Sequence, residues 1–175
     1  DGERVPYRAL VTSAPLQSLV RLLEDVPAEV RAAADKLRCN KLWYLDVATK
    51  KKPTTDLHWA YVPEEKYPFY RIGVYSNFSA KLAPPDGGCF YVELASREEP
   101  DVAKIAPGIA RDMAEMKLIS DPSDVLFMRA RLIEHAYVVF DHGYFDALAV
   151  IKPFLREQHI LSHGRYGAWN YSSME

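Results

Sequence analysis

The sequence predicts an α+β fold in which helices cover a mostly antiparallel sheet. Three observations support this prediction. Several segments have the alternating pattern of strands, four others repeat apolar residues at helical spacing, and turn signals rich in proline and glycine separate neighbouring strands. The length of 175 residues corresponds to one domain, or to one domain with part of a second.

The N-terminal part is predicted to contain one strand and two helices. Residues 4–12 form the strand, which enters a turn at 13–15. Apolar residues then recur at helical spacing over 16–23. The alanine-rich run 28–37 predicts a second helix, because Pro27 stands where a first helical turn tolerates proline.

The middle of the chain predicts four strands, over residues 41–49, 56–62, 69–76 and 89–95. Residues 50–53 (KKKP) are predicted to form a hairpin loop. The run PPDGG at 84–88 is a strong turn signal before the last of these strands.

The C-terminal half predicts two helices and further strand. An amphipathic helix covers 99–117, and Pro107 with Gly108 is expected to kink it or divide it in two. Residues 125–140 predict a long strand, although the pattern leaves a helix open. A helix over 144–157 and a short strand with a turn over 159–171 complete the chain.

Composition excludes several classes of protein. Lys+Arg is 22 and Asp+Glu is 24, so a general affinity for nucleic acid is not expected. The two cysteines, Cys39 and Cys89, have no CxxC partner, which argues against a disulfide scaffold and favours a reducing, cytoplasmic location. No apolar run is long enough to span a bilayer, and no signal-peptide pattern is present.

Three predicted strands have one aliphatic face and one face of Arg, Tyr and acidic residues. The polar faces carry Arg71 and Tyr75 in 69–76, Tyr91 and Glu93 in 89–95, and Arg131 and Tyr137 in 125–140. Two interpretations remain open. The face can be the solvated side of an antiparallel sheet, or it can be a binding surface on which Arg contacts an anionic group and Tyr supplies flat contact.

Other candidate sites are weaker. His159 and His163 have the spacing of a metal pair on a helix, but they lie in predicted strand or turn and no third ligand is apparent, so no metal site is expected. Trp43, Trp59 and Tyr61 are interpreted as core residues or cross-strand pairs rather than as a ligand cage. A lone cysteine on an apolar strand is more often a buried small residue than a nucleophile.

Three motifs of the sequence carry a resemblance to one superfamily of proteins. Residues 12–16 (TSAPL) resemble the turn "TAPL" of the FAD-dependent amine oxidase and protoporphyrinogen oxidase-like superfamily. Residues 68–79 (PFYRIGVYSNFS) resemble a strand of its substrate domain, particularly in the UDP-galactopyranose mutase-like branch. Residues 164–175 (GRYGAWNYSSME) resemble its closing flavin motif and are the most specific match.

The resemblance implies a division of the chain. Residues 1–16 and 159–175 would be edges of an FAD-binding domain, and 17–158 would be the substrate-binding domain. No GxGxxG motif occurs in the sequence, so a Rossmann part of the same protein is expected to precede this chain as its partner. FAD would then belong to the full-length parent, and this chain alone is expected to be inactive and to hold FAD poorly. The S-x-x-E spacing at 172–175 is that of a capping box, which can arise by chance, at a frayed natural terminus, or, as favoured here, in a fragment of a longer protein. In the family, a helix that begins at this point faces the flavin.

The resemblance also implies roles for individual residues. The expected cofactor contacts are Gly164 and Arg165 near the diphosphate or ribityl, Met174 and Glu175 near the ring edge and ribityl, and Trp169 and Tyr171 at the boundary between cofactor and substrate. Arg71 matches an arginine that faces the anionic part of the substrate, and Tyr137 falls near a substrate tyrosine. Tyr75 and Arg131, from the same Arg and Tyr faces, complete the expected substrate-binding set.

Three functions follow as expectations. The first is an oxidoreductase that passes hydride from a small-molecule substrate to flavin, with no side-chain nucleophile or base required. The second is a mutase-like isomerase in which reduced flavin attacks a nucleotide sugar. The Arg and Tyr face favours this more than amine oxidation, because an amine offers no anion to Arg71. The third is a non-catalytic binding module.

Overall fold

The computed structural model describes residues 2, 5–96 and 98–172. Within these residues the strands are β1 (Leu10–Thr12), β2 (Arg38–Thr49), β3 (Trp59–Tyr61), β4 (Phe69–Val74), β5 (Gly88–Leu94), β6 (Val125–Val139) and β7 (Ile160–Ser162). The helices are α1 (Leu16–Leu22), α2 (Ala28–Lys36), α3 (Tyr75–Phe78), α4 (Val102–Glu115), α5 (Tyr144–Glu157) and α6 (Gly164–Gly167). The predicted α+β fold with a mostly antiparallel sheet is confirmed.

The chain forms two compact units, one of residues 1–40 and 135–175 and the other of residues 41–134. The boundaries fall inside β2 and β6. The two units arise because α1, α2 and α5 bury their apolar faces with β7 in one core, whereas the sheet packs its apolar face on α4 in another. The division into a substrate-binding domain over 17–158 and two edges of an FAD-binding domain stays a prediction of the resemblance.

The first unit is a helical layer beside a short parallel sheet. β1 and β7 pair in parallel with Leu10 opposite Ile160. The Gln17 side-chain amide joins α1 to the end of α2, because its nitrogen donates to the carbonyls of Ala34 at 2.9 Å and Leu37 at 2.6 Å. The core holds Leu16, Val20, Ala34, Ile151, Leu155 and Trp169.

The second unit contains the five-stranded sheet, in the order β3-β4-β5-β2-β6. The pairs β3/β4, β4/β5 and β2/β5 are antiparallel. One face is apolar and packs on Ile109 and Met113 of α4, both fully buried. The residues of that face include Leu45, Val47, Ile72, Val74, Phe90 and Val92. The opposite face therefore carries the alternate residues, as the sequence predicted.

Several predicted elements are shorter or more regular than expected. β1 and β3 cover three residues each, against 4–12 and 56–62 in the prediction. Residues 125–139 form a strand, so the alternative of a helix is wrong. α4 is one helix with Pro107 inside it. Because Pro107 and Ala103 are both exposed, water can satisfy the carbonyl that proline leaves without a donor.

No helix among the described residues is long and apolar enough to cross a membrane. The predicted capping box at 172–175 and the candidate residues Met174 and Glu175 lie outside or at the limit of the described residues, which end at 172.

Candidate functional site

A cavity of about 500 Å³ lies on the polar face of the sheet, and we name it the tyrosine pocket. Its lining residues are Tyr44, Arg71, Tyr75, Phe78, Leu82, Tyr91, Glu93 and Ile133. The sheet register brings the central residues together. Glu93 of β5 stands between Arg71 of β4 and Tyr44 of β2, and Tyr91 stands opposite Gly73. Directly opposed residues of an antiparallel pair share one face.

Arg71 and Glu93 form an ion pair inside the pocket. Both Nε, at 2.8 Å, and Nη2 of Arg71 donate to the same carboxylate oxygen, Oε1. The side chain of Arg71 is 27% exposed and that of Glu93 only 5%. The Arg71 guanidinium also lies 5.9 Å from the centre of the Tyr91 ring. The guanidinium is therefore held by a buried carboxylate and an aromatic ring.

Tyrosines form the rest of the polar wall. The rings of Tyr75 and Tyr91 are 4.9 Å apart and tilted by 42°. Burial, followed by the nearby Tyr44 and Asp46, raises the pKa of Tyr75 to about 12. Its hydroxyl is consequently protonated at neutral pH and can both donate and accept a hydrogen bond.

Two aromatic residues on β3 extend this face towards the edge of the sheet. Tyr61 stands opposite Arg71, and Trp59 stands opposite Gly73. They are 65% and 48% exposed, and their rings meet edge to face at 5.1 Å. Of the two expectations for these residues, the exposure excludes the core, whereas the register places both in cross-strand pairs. The alternation Trp59-Ala60-Tyr61 was the available signal, because it places both rings on the face that holds Arg71.

Arg131 lies outside the tyrosine pocket. Its Nε donates to Oδ2 of Asp46 at 2.9 Å, and its side chain is 47% exposed. Both arginines that the sequence proposed for substrate binding thus have a carboxylate partner on a neighbouring strand. These pairings could not be predicted from local sequence patterns, because they depend on the register between distant segments.

A second cluster of candidate residues lies in the first unit. The Arg165 guanidinium is 5.5 Å from the ring centre of Tyr137, 5.9 Å from Tyr166 and 4.7 Å from Tyr171. Tyr137 and Tyr171 stack at 5.9 Å and 24°. Arg165 donates to the carbonyls of Ala136 at 3.0 Å and Ser172 at 3.1 Å. Its buried Nε has no partner among the described residues.

Two other residues that were expected to contact the cofactor, Gly164 and Trp169, do not belong to the cluster of tyrosines around Arg165. Gly164 has a φ of +75°, which glycine adopts without strain. Trp169 is fully buried in the core of the first unit, and its carbonyl accepts a 2.6 Å hydrogen bond from the Tyr144 hydroxyl. The Trp169 indole therefore packs the core in this structure, although the sequence assigned it to the boundary between cofactor and substrate.

No protein-family model matches the sequence. Solved structures do match it. The chain is similar to a reduced UDP-galactopyranose mutase with 26% sequence identity and a TM-score of 0.78, over 97% of this chain and 38% of that one. It is also similar to a putative protoporphyrinogen oxidase from Exiguobacterium with 10% identity and a TM-score of 0.56, over 87% of this chain and 35% of that one.

A third match is an oxidoreductase from Methanosarcina mazei, with 13% identity, a TM-score of 0.51, and coverage of 77% of this chain and 33% of that one. The matches are consistent with the FAD-dependent amine oxidase-like superfamily that the motifs resemble. Within that group the mutase match combines the identity of 26% with coverage of almost the whole chain. In each case the chain spans well under half the length of the matched structure.

Proposed function

We propose that this chain is the substrate-binding part of an FAD-dependent enzyme of the UDP-galactopyranose mutase type, and that the tyrosine pocket binds an anionic nucleotide sugar. One observation carries the proposal. Arg71, which the mutase resemblance assigns to the anionic part of the substrate, lines a cavity of about 500 Å³ with three tyrosines. That volume is typical of small-molecule sites.

The chemistry of the pocket supports such a ligand. A guanidinium donates to phosphate or carboxylate oxygens with a fixed planar geometry. Tyrosine side chains offer flat apolar contact for a sugar or base together with hydroxyl groups for hydrogen bonds. Trp59 and Tyr61, exposed beside Arg71 on β3, would extend the contact surface for a larger ligand.

The first unit supports a cofactor role for Arg165. Its buried Nε lacks a partner, and no carboxylate pairs with it among the ion pairs of the described residues. An anionic group such as the FAD diphosphate would supply the missing acceptor. Gly164 and Tyr171 would accompany Arg165, and Met174 and Glu175 remain proposed from the sequence. When bound, the flavin would supply the bond-making chemistry, while the chain binds and orients the substrate.

The short parallel sheet supports the proposal that a further part of the same protein covers this unit. Val11 and Leu161 stand opposite each other, and 68% and 61% of their surfaces are exposed. Parallel strands are normally covered on both faces. We propose that the Rossmann part covers this face. Cys39 and Cys89 are not joined in a disulfide, which supports a reducing compartment, such as the cytoplasm, as the proposed location.

The pairing of Arg71 with Glu93 favours one second candidate, an oxidoreductase acting on a less charged substrate. The carboxylate offsets the charge of the guanidinium, so the pair can also serve as a donor and acceptor for neutral polar groups. In that case the substrate would deliver hydride to flavin rather than undergo isomerisation.

The decisive experiment uses the protein expressed from its complete gene. An absorbance spectrum tests for flavin, and a parallel spectrum of residues 1–175 tests whether this chain retains any. The flavin is then chemically reduced, and UDP-galactopyranose is added and analysed by chromatography for its ring isomer. Arg71→Ala should abolish conversion, while Arg21→Ala, which removes an exposed arginine paired with Asp35, should not.

Each outcome favours a different function. Conversion that depends on Arg71 supports the mutase proposal. Bound flavin without conversion, but with reduction of the flavin by a screened substrate, supports the oxidoreductase. Absence of flavin from the complete protein would exclude both enzymes and leave a non-catalytic binding module.

A further inference from the structure

Glu93 occupies an unusual position for a charged residue. It is 3% exposed and lies in the middle of β5, with Arg71 and Tyr44 as its neighbours across the two adjacent strands. Charged residues are rarely buried to this degree unless they are paired. The partner here is Arg71, a residue of the tyrosine pocket.

The hydrogen bonds of Glu93 are unevenly distributed. Oε1 accepts from both Nε and Nη2 of Arg71, while the buried Oε2 has no hydrogen-bond partner among the described residues. An unsatisfied buried acceptor destabilises the folded state. All the hydrogen bonds that Glu93 makes to Arg71 therefore involve one oxygen and one edge of the guanidinium.

The edge that Glu93 contacts determines how the guanidinium is directed. The guanidinium is planar and rigid, so fixing Nε and Nη2 fixes the plane and therefore the direction of every other N–H. The Tyr91 ring, 5.9 Å away, limits movement on one side. An arginine held by these contacts has less rotamer freedom to lose when a ligand binds than a flexible arginine would have.

We propose that Glu93 is a positioning residue for Arg71, which presents the guanidinium of the tyrosine pocket to the ligand in one fixed orientation. The proposal rests on the proposed function of that pocket. It assigns to Glu93 a role in ligand affinity that acts through Arg71 and not through direct contact with the ligand.

Two variants distinguish the effect of the position of the Glu93 carboxylate from the effect of its charge. Glu93→Asp keeps the negative charge but withdraws the oxygen from Arg71 by one methylene. Glu93→Gln removes the charge but keeps an acceptor oxygen at the original reach. Asp35→Asn is the matched control, because Asp35 pairs with Arg21 on the exposed surface of the first unit. Thermal unfolding of each variant establishes that the protein is folded.

Binding is measured by calorimetry with uridine diphosphate as the probe, using the protein from the complete gene. Glu93→Asp should weaken binding about tenfold or more, because a charge-assisted hydrogen bond that orients Arg71 is lost. Glu93→Gln should bind as tightly as the wild type or more tightly. In an Arg71→Ala background the two Glu93 variants should bind alike, since their effect passes through Arg71. Asp35→Asn should have no effect.

The orientation of Arg71 is measured separately by NMR, from hydrogen exchange at its Nε, with the signal assigned by its loss in Arg71→Ala. Exchange should be slow in the wild type and in Glu93→Gln, and fast in Glu93→Asp. Fast exchange in the wild type, or tighter binding by Glu93→Asp than by Glu93→Gln, would overturn the positioning role. Failure of the wild type to bind uridine diphosphate would instead count against the nucleotide ligand, and the exchange rates would still decide the role of Glu93.

Discussion

Gly73 lies at the centre of the polar face, and replacing it with alanine should both destabilise the protein and disturb the tyrosine pocket. Gly73 is buried in β4 opposite Tyr91. An added Cβ would overlap the Tyr91 ring, including Cε1 and Cζ, and would lie 2.5 Å from its hydroxyl oxygen. The ring must therefore move, and it is the ring that contacts Arg71 and Tyr75.

The magnitude follows from a comparison with a second glycine. Gly108 lies in α4, and a Cβ there would meet only the end of the Arg111 side chain, at 3.9 Å. Gly108→Ala should stabilise the helix by about 0.5–1 kcal/mol. Gly73→Ala should gain a similar stabilisation from the reduced conformational entropy of the unfolded backbone. The overlap with the Tyr91 ring should, however, destabilise the folded state by about 1–3 kcal/mol. The difference between the two variants should therefore be about 1–3 kcal/mol, which is the overpacking contribution.

The assay is urea denaturation of both variants and the wild type, followed by fluorescence or circular dichroism. A midpoint for Gly73→Ala as high as that for Gly108→Ala would refute the reasoning, because it would mean that the ring accommodates the methyl group without cost. The double variant Gly73→Ala/Tyr91→Ala gives a further check. Relative to Tyr91→Ala alone, the added methyl group should no longer destabilise, since the ring that it overlaps is absent.

Three further predictions concern buried polar groups. Because burial raises the pKa of Tyr75 to about 12 from 10.0, its stabilising contribution should be complete below pH 10 and decline as the pH rises towards 12. Urea denaturation over this pH range should show a smaller decline in the free energy of unfolding for Tyr75→Phe than for the wild type. Equal declines in the two proteins would mean that the ionisation of Tyr75 is not the cause. Asp124→Ala should lower the free energy of unfolding by about 1–3 kcal/mol, because the carboxylate is 1% exposed and accepts from the Asp121 amide at 3.1 Å. An unchanged guanidinium denaturation midpoint would refute this. Tyr144→Phe should lower stability by about 1–3 kcal/mol, since the buried Trp169 carbonyl loses its 2.6 Å donor; an unchanged melting temperature would contradict the assignment.

Local pattern was sufficient to predict the sheet and its two faces. Alternation along 69–76 and 89–95 separated Ile72, Val74, Phe90 and Val92 from Arg71 and Glu93, and the structure has the same separation. This success has a simple cause. Successive side chains of a strand point to opposite faces of the sheet, so the sequence of a strand with one buried face alternates between apolar and polar residues.

The contacts within the site could not be predicted in the same way. Arg71 and Glu93 are 22 residues apart, and Arg131 and Asp46 are 85 apart. Their pairing depends on strand order and register, which no local pattern contains. The burial of Trp169 could not be predicted for a related reason. Its position within a motif suggested a place near a cofactor, and helices distant in sequence contribute to the core that encloses it.

The two ion pairs of the polar face differ in how far their side chains are exposed to water and in how the arginine is oriented. In the Arg131–Asp46 pair the side chains are 47% and 23% exposed, so water screens the attraction and the pair contributes about 0–1 kcal/mol. In the Arg71–Glu93 pair the carboxylate is 5% exposed, and its desolvation offsets much of the attraction. Neither pair is therefore a strong source of stability. The buried pair differs because its arginine is held in a single orientation beside three tyrosines. The selectivity of the face should accordingly depend on the geometry of Arg71 and not on the number of arginines that it carries.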